Sequence, residues 1–260
     1  MKSIETRFKL LVLDIDGTLL NRDGTLSAED KKALALVAAS GIKVSLSSGR
    51  SALACLPIID QLSLDGCHTS FDGALVSNPK LNQEVYAEPI NDRLVERIIE
   101  FIHSNDINLE LYSDKRLFIE KETWTADVRR QVFSIQPVIG DFAKIERGER
   151  IIKGTIVARS PEEKAKAENL FRHFGSHLSF SRNKTPAFPG VDFVNILAPG
   201  VSKGKALEAL ASFMGISMAE VMAIGDGSND ASLFSRVGLA VAMGDASDEL
   251  KDMAHHVTLD

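Results

Sequence analysis

The stretch Phe8-Lys9-Leu10-Leu11-Val12-Leu13-Asp14-Ile15-Asp16-Gly17-Thr18-Leu19 constrains this chain more than any other. An apolar run of strand character stops at two aspartates one residue apart, and a glycine then lets the backbone turn. Side chains alternate along a strand, so Asp14 and Asp16 point to the same side where it ends. Two carboxylates crowded there repel each other unless a cation or a shared proton offsets the charge. Taken alone, the pair fits a metal site, and it also fits an ordinary turn carrying two solvated acids.

Beyond this turn, strand and helix signals alternate. Ser27-Ala28-Glu29-Asp30 reads as a helix start with a capping acid three residues on. Leu34, Leu36, Val37 and Ala38 give that helix an apolar side, and Gly41 ends it. Ile42 to Leu46 follows as a second strand running into Ser47-Ser48-Gly49-Arg50; a helix is expected over about 51–62 and a third strand near Cys67 to Phe71. Short connections between alternating strands and helices imply a parallel sheet with helices on both faces.

The middle of the chain has another character. Arg93 to His103 is amphipathic, with Leu94, Val95, Ile98, Ile99 and Ile102 on one stripe. Leu109 to Tyr112 and Leu117 to Glu120 alternate as two short strands about Asp114-Lys115, the pattern of a hairpin. Ile151 to Ala158 reads as a strand, and Pro161 to Phe174 as a helix with its proline in the first turn. Locally paired strands with helices on one side predict an α+β insertion at 85–185. From Asp192 the first pattern returns: a strand at Phe193 to Leu197, a helix at Ser202 to Met214, and a strand at Glu220 to Ile224 ending in Gly225-Asp226-Gly227. A helix near 229–235, a strand at Leu239 to Ala242, and a final helix and short strand complete it. The expected architecture is α/β, a doubly wound parallel core from residues 1–84 and 186–260 with the insertion between them.

Composition removes several alternatives. A formal net charge of −6 argues against nucleic-acid binding, which shows a basic face. No apolar run approaches the roughly 20 residues that cross a bilayer, and Asp14 interrupts the N-terminal apolar segment, so neither an anchor nor a signal peptide is expected. The two cysteines, Cys55 and Cys67, match no metal or redox spacing and read as buried small hydrophobes. Their scarcity fits a reducing cytoplasm.

Four elements carry chemistry: Asp14-Ile15-Asp16-Gly17-Thr18, Ser48-Gly49-Arg50, Ser202-Lys203-Gly204-Lys205, and Gly225-Asp226-Gly227-Ser228-Asn229-Asp230. Three stand where strands end, and ligands of open parallel sheets bind beyond the carboxyl ends of the strands. Together with the helix bearing Lys203 they supply carboxylates for a hard cation, a hydroxyl and amides for an oxyanion, and one ammonium. That inventory suits phosphoryl transfer, which is mostly positioning and charge neutralisation. Read singly, Ser48 is also a helix cap, Lys203 beside Lys205 a solvated helix start, and Asp230 an acid against a helix dipole. Arg50 fits a phosphate contact, a contact to the insertion, or an ion pair.

With these motifs and the closing Val241-Ala242-Met243-Gly244-Asp245-Ala246, nearly the whole chain resembles the haloacid dehalogenase-like superfamily of phosphohydrolases, and within it the Cof-type sugar-phosphatase branch. The resemblance implies a Rossmann-like core with an inserted cap that selects substrates. It implies Asp14 as the nucleophile that forms an aspartyl-phosphate, and Asp16 as the acid and then the base. Mg²⁺ would sit among the Asp14 side chain, the Asp16 carbonyl and Asp226. Ser48, Gly49 and Asn229 would bind phosphate, Lys203 would offset charge on Asp14 and phosphorus, Thr18 would orient Asp16, and Asp230 would brace Lys203 or the metal's waters. The implied partner is a small phosphorylated metabolite, with neither nucleic acid nor membrane, acted on by a cytoplasmic monomer or weak homo-oligomer. A phosphosugar mutase or phosphotransferase of the same fold is an alternative, and so is a non-catalytic sensor of a phosphometabolite. Two positions depart from the branch: Asp72-Gly73 stands where Asn-Gly is frequent, and Asp245 where Asn is common. In the cap, Phe118, Trp124, Arg182 and the Asn183 to Gly190 loop are the candidates for substrate contact.

Overall fold

The structure is a computed structural model that describes residues 7–21, 23–145, 148–183 and 188–259. It divides into two units: one gathers the described residues within 1–50, 55–86 and 202–260, the other those within 51–54 and 87–201.

The first part of the chain forms β1 (Leu10–Leu13), α1 (Ala28–Ala39), β2 (Lys43–Leu46), α2 (Ala52–Gln61), β3 (His68–Ser70), β4 (Leu75–Asn78) and β5 (Gln83–Ala87). The Ser27 hydroxyl accepts the Asp30 amide, so the cap written in the sequence starts α1, and Gly41 follows its end with φ 88°. The insertion contributes α3 (Asp92–Ser104), β6 (Glu110–Tyr112), β7 (Leu117–Ile119), α4 (Trp124–Phe133), β8 (Val138–Ile139), β9 (Lys153–Ala158), α5 (Pro161–Phe174), β10 (Ser179–Asn183) and β11 (Asp192–Leu197). The chain closes with α6 (Lys203–Met214), β12 (Val221–Gly225), α7 (Ala231–Phe234), β13 (Leu239–Ala242), α8 (Asp248–Met253) and β14 (His256–Val257).

In the first unit five parallel strands lie in the order β14-β13-β12-β1-β2. The apolar run of β1 is buried on both alternations. Leu10 and Val12 pack with Leu207, Leu210, Leu233, Phe234 and Leu250 from α6, α7 and α8, while Leu11 and Leu13 pack with Leu34 of α1 and Cys55, Ile58 and Ile59 of α2. Helices therefore cover both faces, and the strands point their carboxyl ends to one edge. Just past β2, a parallel bridge from Ser47 to Thr69 and the Ser48 amide's bond to the Thr69 carbonyl (3.0 Å) join it to the small sheet β3-β4-β5. The strands β4 and β5 lie outside the pattern read from sequence.

The second unit holds a six-stranded sheet, β10-β11-β9-β6-β7-β8, including the 110–119 hairpin. Two expectations need correction. The strand at 192–197, assigned by its apolarity to the returning core, pairs antiparallel with β9 and β10; the core resumes at Ser202, not 186. Apolarity marks a buried strand but not the sheet that buries it. Nor do helices keep to one side: Phe171 of α5 meets Phe180 on one face, while Arg129 of α4 lies over Tyr112 and Phe193 on the other. No described helix is long and apolar enough to cross a membrane. The cysteines form no disulfide; Cys55 is buried as expected and Cys67 only half-buried.

Candidate active site

The four sequence elements meet where β1, β2 and β12 end. Asp14 follows β1, its amide donating to the Ile224 carbonyl of β12 (3.0 Å). Lys203, the first residue of α6, is 1% exposed, and its Nζ lies 2.5 Å from Asp14 Oδ1 and 2.7 Å from Asp230 Oδ1. The second Asp230 oxygen accepts the amides of Asp226 (3.2 Å) and Gly227 (3.0 Å). Asp230 thus braces Lys203 and closes the turn after β12. Close approach explains two glycines: a Cβ on Gly17 would lie 2.2 Å from Asp226 Oδ2, and one on Gly225 would lie 2.6 Å from the Asp230 carboxyl carbon.

The electrostatics follow from one cation among three buried or half-buried acids. Burial raises the Asp14 carboxyl well above its ordinary range, and Asp230 and Asp226 add to the rise while Lys203 opposes it. Burial also pushes Asp226 up to about 6, with the Thr18 hydrogen bond opposing and Asp230 adding to the shift. For Lys203, burial disfavours the charged form, yet the carboxylates of Asp14 and Asp230 outweigh it and raise the ammonium above its usual value. Oxygens of Asp14, Asp226 and Asp230 lie within 4.8 Å of one another, the spacing of a cation site. Since both Asp230 oxygens are already engaged, Asp14 and Asp226 are the carboxylates left to hold an ion, and a crowded pair of raised carboxyls suits a hard divalent cation.

Other expected residues take different partners. Thr18 does not orient Asp16; its hydroxyl donates to Asp226 Oδ1 (2.9 Å). Asp16 is held by Arg50, whose Nε and Nη2 reach its two oxygens at 2.8 and 2.6 Å, which resolves Arg50 as an ion-pair partner. The buried Ser48 hydroxyl accepts the Arg50 amide (3.1 Å); Ser51, not Ser48, caps α2, accepting the Ala54 amide (3.2 Å). Asn229 donates to Asp72 Oδ1 (2.9 Å). Asp72 is the residue whose part in the site its sequence position left open.

In the second unit, Phe118 is buried beneath the Arg116 guanidinium (5.5 Å). Trp124 lies against Phe188 (6.0 Å) and Arg159 (5.9 Å), and Arg182 pairs with Glu168. Residues 184–187 of the proposed contact loop lie outside the described residues.

Comparison with known proteins agrees with this geometry. The haloacid dehalogenase-like hydrolases match residues 11–260. A 5-amino-6-(5-phospho-D-ribitylamino)uracil phosphatase of Bacillus subtilis is 27% identical, covering 96% of this chain and 92% of its own length. An HMP-PP phosphatase of Serratia proteamaculans is 26% identical, covering 95% and 87%. Among solved structures, a haloacid dehalogenase-like hydrolase from Bacteroides thetaiotaomicron superposes with a TM-score of 0.84 at 25% identity, covering 96% of this chain and 94% of its own.

Proposed function

This chain belongs to the haloacid dehalogenase-like hydrolases and is a phosphatase, and we propose that it is a Mg²⁺-dependent phosphomonoesterase of small phosphorylated metabolites, sugar phosphates first among them. The observation that carries this reading is the buried Lys203 ammonium shared by Asp14 and Asp230, with Asp226 beside them. Relatives named for a phosphoribitylamino-uracil and for HMP-PP support the substrate class.

Asp14 attacks the ester's phosphorus: a bond forms from its carboxylate oxygen as the bond to the leaving alkoxide breaks. Asp16 supplies the proton that the alkoxide takes. Water then loses a proton to Asp16 and attacks the same phosphorus, which frees phosphate and restores Asp14. Both Asp16 oxygens accept from Arg50, so delivering a proton to the alkoxide requires Asp16 to leave Arg50. Lys203 offsets the negative charge of Asp14 and of the phosphorus centre, while Ser48, the Gly49 amide and Asn229 hold phosphate oxygens. A divalent cation held by Asp14, Asp226 and the Asp16 carbonyl would supply positive charge against the transferring phosphoryl group. We assign the choice of substrate to the inserted unit, and a cytoplasmic, monomeric or weakly associating enzyme to the whole.

Phosphate release from a panel of phosphorylated metabolites, with Mg²⁺ and with EDTA, tests the reading. Mg²⁺-dependent release is expected. Metal-independent turnover sinks the metal assignment, and isomerisation of hexose phosphates with little phosphate release points to a mutase instead.

A further inference from the structure

Three consecutive residues after β3 have left-handed backbone: Phe71 (φ 53°), Asp72 (φ 55°) and Gly73 (φ 103°). Glycine adopts this freely, but phenylalanine does so only where its surroundings over-determine it. Here they do. The Phe71 amide donates to the Arg50 carbonyl (2.8 Å), the Asp72 amide to the Ser48 carbonyl (3.0 Å), and the Phe71 ring is wholly buried. A Cβ on Gly73 would lie 2.3 Å from the Ser202 carbonyl oxygen. The turn is thus fastened to the Ser48–Arg50 loop and to the start of α6, and Asp72, 3% exposed, reaches the last catalytic segment by accepting from Asn229.

That hydrogen bond is directional. A carboxylate oxygen offers only lone pairs, so the Asn229 nitrogen must face it. The amide oxygen is then held on the other side, where a Cβ on Gly227 would lie 2.6 Å from it. An asparagine at position 72 presents either an oxygen or a nitrogen and leaves the Asn229 amide able to turn over. The bond to Asp72 uses one of the two Asn229 N–H groups, and the other remains a donor.

We propose that Asp72 is a positioning residue of the phosphatase, fixing the Asn229 amide so that its second N–H is kept for the substrate's phosphate. This rests on the assignment of Asn229 as a phosphate contact made above. D72G removes the carboxylate at a position whose backbone glycine tolerates. It is expected to raise KM for p-nitrophenyl phosphate, and the inhibition constant of inorganic phosphate, about tenfold, the factor for one hydrogen bond, with kcat moving less than KM. N229A should do the same, and D72G/N229A should be no worse than N229A. D72N retains an acceptor and a residue at home in left-handed backbone, so it should fall between D72G and the unmodified enzyme. An unchanged KM in D72G, or a D72G effect undiminished in the N229A background, overturns the proposal. Should D72G fail to fold, the D72N and N229A cycle decides it: independent, multiplying effects are again the overturning result. A wild-type enzyme that releases no phosphate, or D14N that still does, fails the reaction itself, whereas normal D72G beside inactive D14N fails Asp72 alone.

Discussion

In each unit a buried carboxylate faces a buried cation, and the two carboxylates, Asp14 and Glu110, respond oppositely. Asp14 is 6% exposed and Glu110 is 5% exposed, so both pay the same kind of desolvation. Glu110 has a cation to itself. Arg129 reaches its Oε2 with Nη2 (2.8 Å) and Nε (3.1 Å), the Tyr112 hydroxyl adds 2.7 Å, and the guanidinium lies on the rings of Tyr112, Phe133 and Phe193. Burial pushes the Glu110 carboxyl up, but Arg129, Tyr112 and Thr125 together bring it below its ordinary range. Asp14 shares its cation with Asp230 and has Asp226 close by, and its carboxyl ends well above the ordinary range. Depth alone separates neither; the count of charges does. The balanced pair joins α4 to β6, whereas the acid left in excess is the one we propose as a ligand of the divalent cation.

The largest expected effect tests that division at the unbalanced end. D14N should lower turnover by at least about 10³-fold, because no nucleophile remains. It should leave the unfolding midpoint unchanged or raise it in metal-free buffer. The sign follows from linkage: an acid whose folded proton affinity is raised favours folding below its unfolded pKa and opposes it as pH rises through the folded value. Removing that charge at neutral pH therefore relieves the fold. Appreciable residual turnover would remove Asp14 from its role.

At the balanced end the sign reverses. E110Q leaves Arg129 buried without its counter-charge, which costs about 3–5 kcal/mol in comparable pairs. Denaturant unfolding measures it. If D14N and E110Q moved stability in the same direction, the contrast between the two units would be wrong.

How much of this was legible in the sequence divides along the same line. Asp14 and Asp16, the acids proposed as catalytic, stood out because they end an apolar strand, and Asp226 with Asp230 because they follow another. Helix starts at Ser27 and Ser160 were legible because caps are local; the Ser160 and Glu163 capping box is present in full. What required coordinates was pairing at long range. Nothing near Thr18 announces that its hydroxyl turns to Asp226, 208 residues away, and nothing in Asp192–Leu197 says which sheet it joins. Nothing in the sequence marks Glu110 and Arg129 as partners; they stand 19 residues apart, and only the fold brings them together.

His68 gives an intermediate case, a buried titratable group with no counter-charge. Its Nδ1 accepts the Leu46 amide (3.1 Å), and its Nε2 has no hydrogen-bond partner among the described residues. Burial, with Lys80 adding, lowers its pKa from 6.5 to about 4. Between those values the unfolded chain binds the proton and the folded one does not, so stability is full above about pH 6.5 and falls as pH drops toward 4. The loss amounts to about 3 kcal/mol. H68Q, whose side-chain oxygen still accepts from Leu46, should flatten that part of the stability profile. An unchanged slope would mean that other groups carry the acid sensitivity.

The smallest effect separates the two uses of a hydroxyl. Y112F removes one hydrogen bond to Glu110 and keeps the ring beneath Arg129 and Lys153. Because Arg129 still holds the carboxylate, the loss should be about 1 kcal/mol of stability. T18V removes the corresponding bond to Asp226, an acid already raised by burial. There the missing donor leaves a carboxylate of the proposed ion site less firmly oriented, so the change belongs in turnover, several-fold, and in the Mg²⁺ concentration needed to reach it. A Y112F enzyme that lost more turnover than T18V would show that charge balance does not divide structure from catalysis in this protein.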